Sequence, residues 1–462
     1  MSDSAGKTKN LLLKDCFCIA TGTGKADLTG TDILIRKRRI ASLGANLKAP
    51  PGEETRTLDC SACLVVPGFV NTHHHFYQTL TRALPAVQNA GLFDWLKYLY
   101  EIWKNIDAEA VEVSSLLAMG ELLKTGCTCS TDHHYLYPRG FKGDLTGIQF
   151  EAARRLGLRF SPCRGSMSLG RKDGGLPPDS VVQSEAEILS DCRRVLETYH
   201  DTDELSMSRI ILAPCSPFSV TLNLMREAAE LARSYGARLH THLAETRDED
   251  DYCSKHYGKR PLALMQECNF LGPDVFYAHG IYFNDSELEI LAETQTGVAH
   301  CPSSNMRLGS GIARVKEMLE LKIPVGLAVD GSASNDTSDF LAEMRQALLL
   351  QRIRYGPDAL TAREVLTMAS RQGAELLGFP ASGRIAVNAA ADLAVFRLDG
   401  LEYAGALADP AAALLFCGGS HQAAYTIVNG RLAVEEGRLT GFDEAELAAR
   451  ANSIAARLLR DQ

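Results

Sequence analysis

Between residues 64 and 330 the chain repeats one unit: a short apolar run followed by a stretch with helical spacing. The apolar runs fall at 64–66, 127–132, 159–165, 210–213, 238–243, 275–279, 297–300 and 325–330. Helical stretches lie between them at 108–124, 150–156, 184–200, 222–235, 261–267, 285–294 and 315–320. Within 108–124, Val111, Leu116, Leu117, Leu122 and Leu123 recur as one face of a helix would require. Such alternation predicts an α/β chain with a parallel sheet, and eight units of this length predict a (β/α)8 TIM barrel.

The flanks read differently. Residues 11–19, 32–35 and 39–43 are short strands with glycine-containing breaks, and strand texture returns after Gly383 at 391–396 and 423–428. Asn429-Gly430 offers a two-residue hairpin turn. The two ends are expected to form one small β-sandwich domain beside the barrel. The division is then 1–66 and 383–462 for the small domain, with a terminal helix over 444–459, and 67–382 for the barrel.

A net charge of −9 argues against a nucleic-acid partner held through its phosphates and favours a small molecule. The 13 cysteines do not form the pattern of a short secreted scaffold, so they are expected to be reduced thiols in a cytoplasmic protein. Cys60 and Cys63 lack a second pair and read as two packed thiols. Residues 1–10 hold no apolar leader segment, and no run is long enough to span a bilayer, so no membrane partner is expected.

Chemistry in such barrels sits at the C-terminal ends of the strands. After the first run comes Pro67-Gly68-Phe69-Val70-Asn71-Thr72-His73-His74-His75. Side chains alternate along a strand, so His73 and His75 share a face and His74 points away. The fifth run carries His240 and His242 with Glu245 beyond it, the sixth ends at His279, and the eighth ends at Asp330. His240 shares parity with His242, and His242 is preferred because it lies nearer the strand end.

Three imidazoles and a carboxylate, from His73, His75, His242 and Asp330, suit one divalent metal with a position left for water. Zn is the expected ion, and Fe and Mn also accept such ligands. A bound cation lowers the pKa of its water toward ~7. Asp330 can take a proton from that water, Glu245 can protonate a substrate, and His279 can hold the water or polarise the group attacked. His133 and His134 end the second strand, and parity does not say which faces inward. Residues 305–311 form a candidate lip over the site. The H-E-x-x-H, P-loop and H-x-E…P-C-x-x-C signatures are absent.

The set Asn71-Thr-His-His-His75, His242-Leu-Ala-Glu245, Ala278-His-Gly280 and Val329-Asp-Gly-Ser-Ala-Ser-Asn-Asp336 resembles the amidohydrolase superfamily. The branch it resembles is that of the cytosine and guanine deaminases and triazine hydrolases, with motifs in family order along nearly the whole chain. The resemblance implies that His73, His75, His242 and Asp330 hold one divalent metal. It implies that Glu245 shuttles a proton to a ring nitrogen and that His279 assists the attacking water. Members with two metals use a carboxylated lysine after the fourth strand; here 212–216 reads Leu-Ala-Pro-Cys-Ser, which implies a mononuclear site.

His73-His-His-Phe-Tyr-Gln78-Thr-Leu-Thr-Arg82, with the stretches at 132–138, 164–168 and 213–218, is similar to the members of this branch that act on 8-oxoguanine. That implies hydrolytic deamination at C2, giving urate and ammonia. Gln78 matches a substrate-contacting glutamine of guanine deaminases, while Cys215 stands in the region where they carry a ring-contacting arginine. Isoxanthopterin, guanine and hydroxyatrazine-type N-alkylamino-s-triazines are the alternative substrates. A homo-oligomer is also implied.

Overall fold

The computed structural model describes residues 10–141, 143–417 and 422–460. Residues 1–9, read above as holding no leader, lie outside the described residues. No helix among the described residues is long and apolar enough to cross a membrane.

The architecture is a curled parallel sheet of the TIM-barrel type. Seven strands run in spatial order from Val325–Leu327 through Gly297–His300, Val275–His279, Arg238–Leu243, Ile211–Pro214 and Cys163–Ser166 to His133–His134. Every neighbouring pair is parallel. A second parallel sheet joins Arg159–Phe160, Cys127–Ser130 and Phe69–Asn71. Backbone bonds tie the two sheets together. Thr72 N–H donates to Leu327 O at 3.0 Å, and Cys163 N–H donates to Asp132 O at 2.8 Å. The second and third strand positions are thus each split in two. In the third the break falls at Pro162, which has no N–H to give a neighbour.

The first run needs a correction. Residues 64–66 do not enter the parallel sheet. Cys63–Pro67 is a fully buried strand of a six-stranded sheet, antiparallel to Leu393–Arg397. The first parallel strand is instead Phe69–Asn71. Gly68 makes the transfer possible, because a Cβ there would lie 2.2 Å from the Thr128 side chain. Only a residue without a side chain lets the two strands approach so closely.

The chain ends form two sheets. One holds Asn10–Cys16, Thr31–Arg36, Arg39–Gly44 and Thr55–Asp59, and the other includes Cys63–Pro67, Leu393–Arg397, Tyr425–Val428 and Arg431–Glu435. Leu13, Ile33 and Ile35 of the first share a buried apolar cluster with Val65, Leu393 and Ile427 of the second. Asn429 and Gly430 turn the hairpin with φ of +50° and +78°, the left-handed pair that a tight two-residue turn requires. Cys60 and Cys63 are free buried thiols in the same cluster. Arg159 fixes the parallel sheet to this region through a buried ion pair with Asp392, 3.0 Å apart. Asp392 is further satisfied by Ser382 Oγ and the Asn429 amide.

Candidate metal centre

Five strand ends deliver the ionisable groups. His73 and His75 follow Phe69–Asn71, His133 belongs to the second position, and His240 and His242 lie in Arg238–Leu243. His279 ends Val275–His279, and Asp330 follows Val325–Leu327. His74 turns away from the others and pairs with Ser338 Oγ at 2.9 Å. Ala244, His279 and Asp330 hold φ of +55°, +74° and +62°. Left-handed backbone at non-glycine residues is strained, and here it occurs where the strands hand over to the site.

The hydrogen bonds fix which imidazole nitrogen is free. His240 Nδ1–H donates to Phe276 O at 2.8 Å. Its Nε2 therefore accepts from His73 Nδ1–H at 2.7 Å, which leaves a lone pair on His73 Nε2. His75 Nδ1–H donates to His133 O at 2.8 Å, and His242 Nδ1–H donates to Cys215 O at 2.7 Å. Both rings thus also turn unprotonated Nε2 atoms inward. His73 Nε2 and His75 Nε2 each lie 3.4 Å from Asp330 Oδ1, and His75 Nε2 lies 3.2 Å from His242 Nε2.

These gaps fit a metal. Donors held at ~2.0–2.1 Å around a tetrahedral ion sit about 3.3–3.4 Å apart. A proton cannot play the cation's part, because burial pushes the His73 and His242 imidazoles well below the ordinary histidine range and lowers His75 as well. His73 Nε2 has no hydrogen-bond partner despite full burial. Lone pairs and a carboxylate facing one another repel, and a cation among them reverses the sign. Among the described residues, three overlapping side-chain groups could hold a metal, and all contain His73. The carboxylate is oriented from behind: Ser304 Oγ donates to Asp330 Oδ2 at 2.6 Å and Gly331 N–H donates to Oδ1 at 2.6 Å.

His240, the alternative ligand by parity, sits behind His73, and burial pushes its pKa down to about 3. It fixes the tautomer of His73. Replacing it with Phe removes that acceptor and is expected to weaken metal affinity about 10–100-fold, as loss of an outer partner does elsewhere. Chelator competition measures this, and unchanged affinity would remove His240 from the support of the site.

A narrow cleft opens onto the cluster, lined by Gln78, Trp95, Tyr100, Tyr135, Cys215 and Glu245 among others. Burial pushes the Glu245 carboxyl up to about 7, and its Oε2 lies 3.6 Å from His279 Nε2. His279 Nδ1–H donates to Asn305 Oδ1 at 2.9 Å, which turns its Nε2 toward Glu245. Gln78 lies against Gly331, where a Cβ would come within 1.9 Å of Gln78 Oε1. Burial pushes the Cys215 thiol up to about 12, so it is neutral. Of the two second-strand histidines, His133 faces inward, its ring stacked on His242 with centroids 4.8 Å apart, while His134 packs on Tyr77 and Tyr137.

Other parts of the site have no counterpart in the sequence reading. The helix Leu92–Trp103 supplies Leu92, Trp95, Leu96 and Tyr100 to the cavity wall. Its amphipathic spacing right after the histidine motif was the available signal. Residues 305–311, expected as a lip, begin inside the helix Pro302–Arg307, and Leu308 reaches the cavity. Glu343 lies under the Asp330 loop, bonded to Asn335 Nδ2 at 2.8 Å and the Ser303 amide at 2.9 Å.

A curled parallel sheet with metal-competent histidines and an aspartate at its strand ends defines a class of hydrolase scaffold. The amidohydrolase family model matches residues 64–433, and the chain belongs to that family. It is 45% identical to an 8-oxoguanine deaminase of Pseudomonas aeruginosa, covering 97% of this chain and 98% of that protein. It is 36% identical to an isoxanthopterin deaminase from an unknown prokaryotic organism, covering 97% of each. Among solved structures, the zinc complex of atrazine chlorohydrolase from Arthrobacter aurescens TC1 superposes with a TM-score of 0.92. That protein is 30% identical, with 96% of this chain and all of the other covered.

Proposed function

We propose that this protein is a metal-dependent aminohydrolase that converts 8-oxoguanine to urate and ammonia. The observation that carries the reading is the convergence of three unprotonated Nε2 atoms and Asp330 Oδ1 beneath a cavity that also holds Glu245. The 45% identity to an 8-oxoguanine deaminase supports the choice of substrate. In this reading His73, His75, His242 and Asp330 hold one divalent ion, preferably Zn, with Fe or Mn as alternatives. The stretch 212–216 offers no lysine to bridge a second.

A divalent cation there would make a water acidic enough, with a pKa near ~7, to act as nucleophile at neutral pH. Asp330 accepts the proton that water gives up. Glu245 carries a proton to the ring nitrogen beside C2, which turns that carbon into a better electrophile. His279 positions the water with its Nε2. Water adds at C2, Asp330 passes the proton taken from the water to the amine, the C2–N bond breaks to release ammonia, and the remaining hydroxyl proton returns to Glu245 as the C2 carbonyl forms. Gln78 and the neutral Cys215 bind the heterocycle, and an uncharged thiol suits a neutral ring better than an anionic edge.

We further read the fold as a closed (β/α)8 barrel over 67–382 flanked by a small β-sandwich built from 1–66 and 383–462. The protein acts on a free small molecule in the cytoplasm as a homo-oligomer, without nucleic acid or membrane.

The test is a substrate panel of 8-oxoguanine, isoxanthopterin, guanine and hydroxyatrazine, read by absorbance and by release of ammonia or alkylamine. The expected result is a kcat/KM for 8-oxoguanine at least about tenfold above the rest, a difference of about 1.4 kcal/mol in transition-state binding. Preference for hydroxyatrazine would replace the purine reading with a triazine one.

A further inference from the structure

Six residues beyond the fifth strand, a second buried acid stands next to Glu245. Glu249 lies in the first turn of the helix Arg247–Tyr257, three residues after the N-cap Thr246. Thr-x-x-Glu is the spacing of a capping box, in which the Glu returns to the N-cap amide. Here it reaches one residue further, and Glu245 N–H donates to Glu249 Oε2 at 2.9 Å. The Thr246 side chain makes no cap bond at all.

An ordinary helix cap needs no such burial. Asp248 in the same turn is exposed, whereas Glu249 is 1% exposed and its Oε1 has no partner. Burial pushes the Glu249 carboxyl up to about 8. A carboxyl buried beside another carboxyl is destabilising unless something needs it there. What it touches is the peptide that aims Glu245. That peptide begins at Ala244, with φ of +55°. Ala244 O is held from the opposite side by the amides of Ile281 and Tyr282, at 2.8 and 3.0 Å, in the loop that follows His279. The linkage is therefore gripped at its carbonyl by one loop and at its amide by Glu249.

We propose that Glu249 is a positioning residue for Glu245: by accepting the Glu245 amide hydrogen it sets the direction from which the Glu245 carboxyl reaches the substrate. The inference rests on the reading of Glu245 as proton shuttle. It requires only that Glu249 offer an acceptor of the right length, so Gln can replace it and a residue of like shape without an acceptor cannot.

The experiment uses the full-length, metal-loaded protein and 8-oxoguanine. Glu249→Met keeps the length of the side chain and removes the acceptor. It is expected to lower kcat about 10–100-fold, the range for a misplacement of about 1 Å at the reacting centre. KM and metal content should stay within about threefold, and Glu249→Gln should restore kcat to within about threefold of wild type. In the Glu245→Gln background, Glu249→Met should cost less than about twofold more, because the carboxyl it positions is gone.

A cap that merely supports the helix would lower the melting temperature and leave kcat per metal-loaded chain unchanged, and that result overturns the proposal. So does an equal loss in both backgrounds. Should the Met variant fail to accumulate, Glu249→Asp draws the acceptor back by one methylene and is read by the same criteria. Glu245→Gln measured alone separates the two readings. If it keeps wild-type turnover, the shuttle role itself is wrong, whereas a dead Glu245→Gln with an unaffected Glu249→Met removes only the positioning role.

Discussion

Glu245→Gln is expected to lower kcat for 8-oxoguanine by about 10²–10⁴-fold, the range that a positioned acid–base group contributes. The substitution keeps the size of the side chain and removes only its ability to take and give a proton. Its backbone amide still has Glu249 to donate to, so the local fold should hold. Metal content should stay at wild-type level, because Glu245 faces His279 and no atom of it belongs to the lone-pair cluster. KM should change little. The wild-type kcat/KM should also show a basic limb, since burial pushes this carboxyl up to about 7 and the form that protonates the ring nitrogen is the acid. Turnover then falls as pH rises through that value, and the limb should vanish in the variant. A Glu245→Gln enzyme with full turnover would assign the proton to another group.

The second large effect is at Asp330. Asp330→Asn keeps the shape and keeps an acceptor for Ser304 Oγ, while the Gly331 N–H loses its acceptor when the amide nitrogen takes the Oδ1 position. What it loses is the anion, and in its place an amide N–H₂ can donate to His73 Nε2 and His75 Nε2. The lone pairs that await a metal are then satisfied by the variant itself. Loss of an outer partner costs up to about 100-fold in metal affinity, and loss of a ligand should cost at least that much. Turnover per bound metal should fall about 10²-fold or more, because the acceptor of the water's proton is gone as well. The metal-free variant should melt no lower than metal-free wild type. Retention of both metal and rate would take Asp330 out of the centre.

Much of this site could be read from the sequence because it lies at strand ends, where parity and position together constrain direction. His73 and His75 share a face for that reason, and Asp330 comes in register with them across the join between Thr72 and Leu327. Parity failed where strands break. His133 and His134 follow an interruption after Ser130, so counting along the run could not say which one turns inward. The run 64–66 is as apolar as any parallel strand, and what removes it from the barrel is its antiparallel pairing with Leu393–Arg397, a contact between distant segments. The same holds for His240: its parity matches that of His242, and only its bond to Phe276 O shows that it supports His73 from behind. Thr246 and Glu249 have the spacing of a routine helix cap, and the reach of Glu249 to the Glu245 amide is visible only in three dimensions.

The central claim is tested most directly by X-ray absorption at the metal edge on the purified protein, combined with metal analysis. One ion per chain is expected, bound by three nitrogens and one or two oxygens at about 2.0–2.2 Å. His242→Ala should leave the same ion with one nitrogen fewer. Two ions per chain, or a ligand shell that does not change when His242 is removed, would contradict a single centre built from His73, His75, His242 and Asp330.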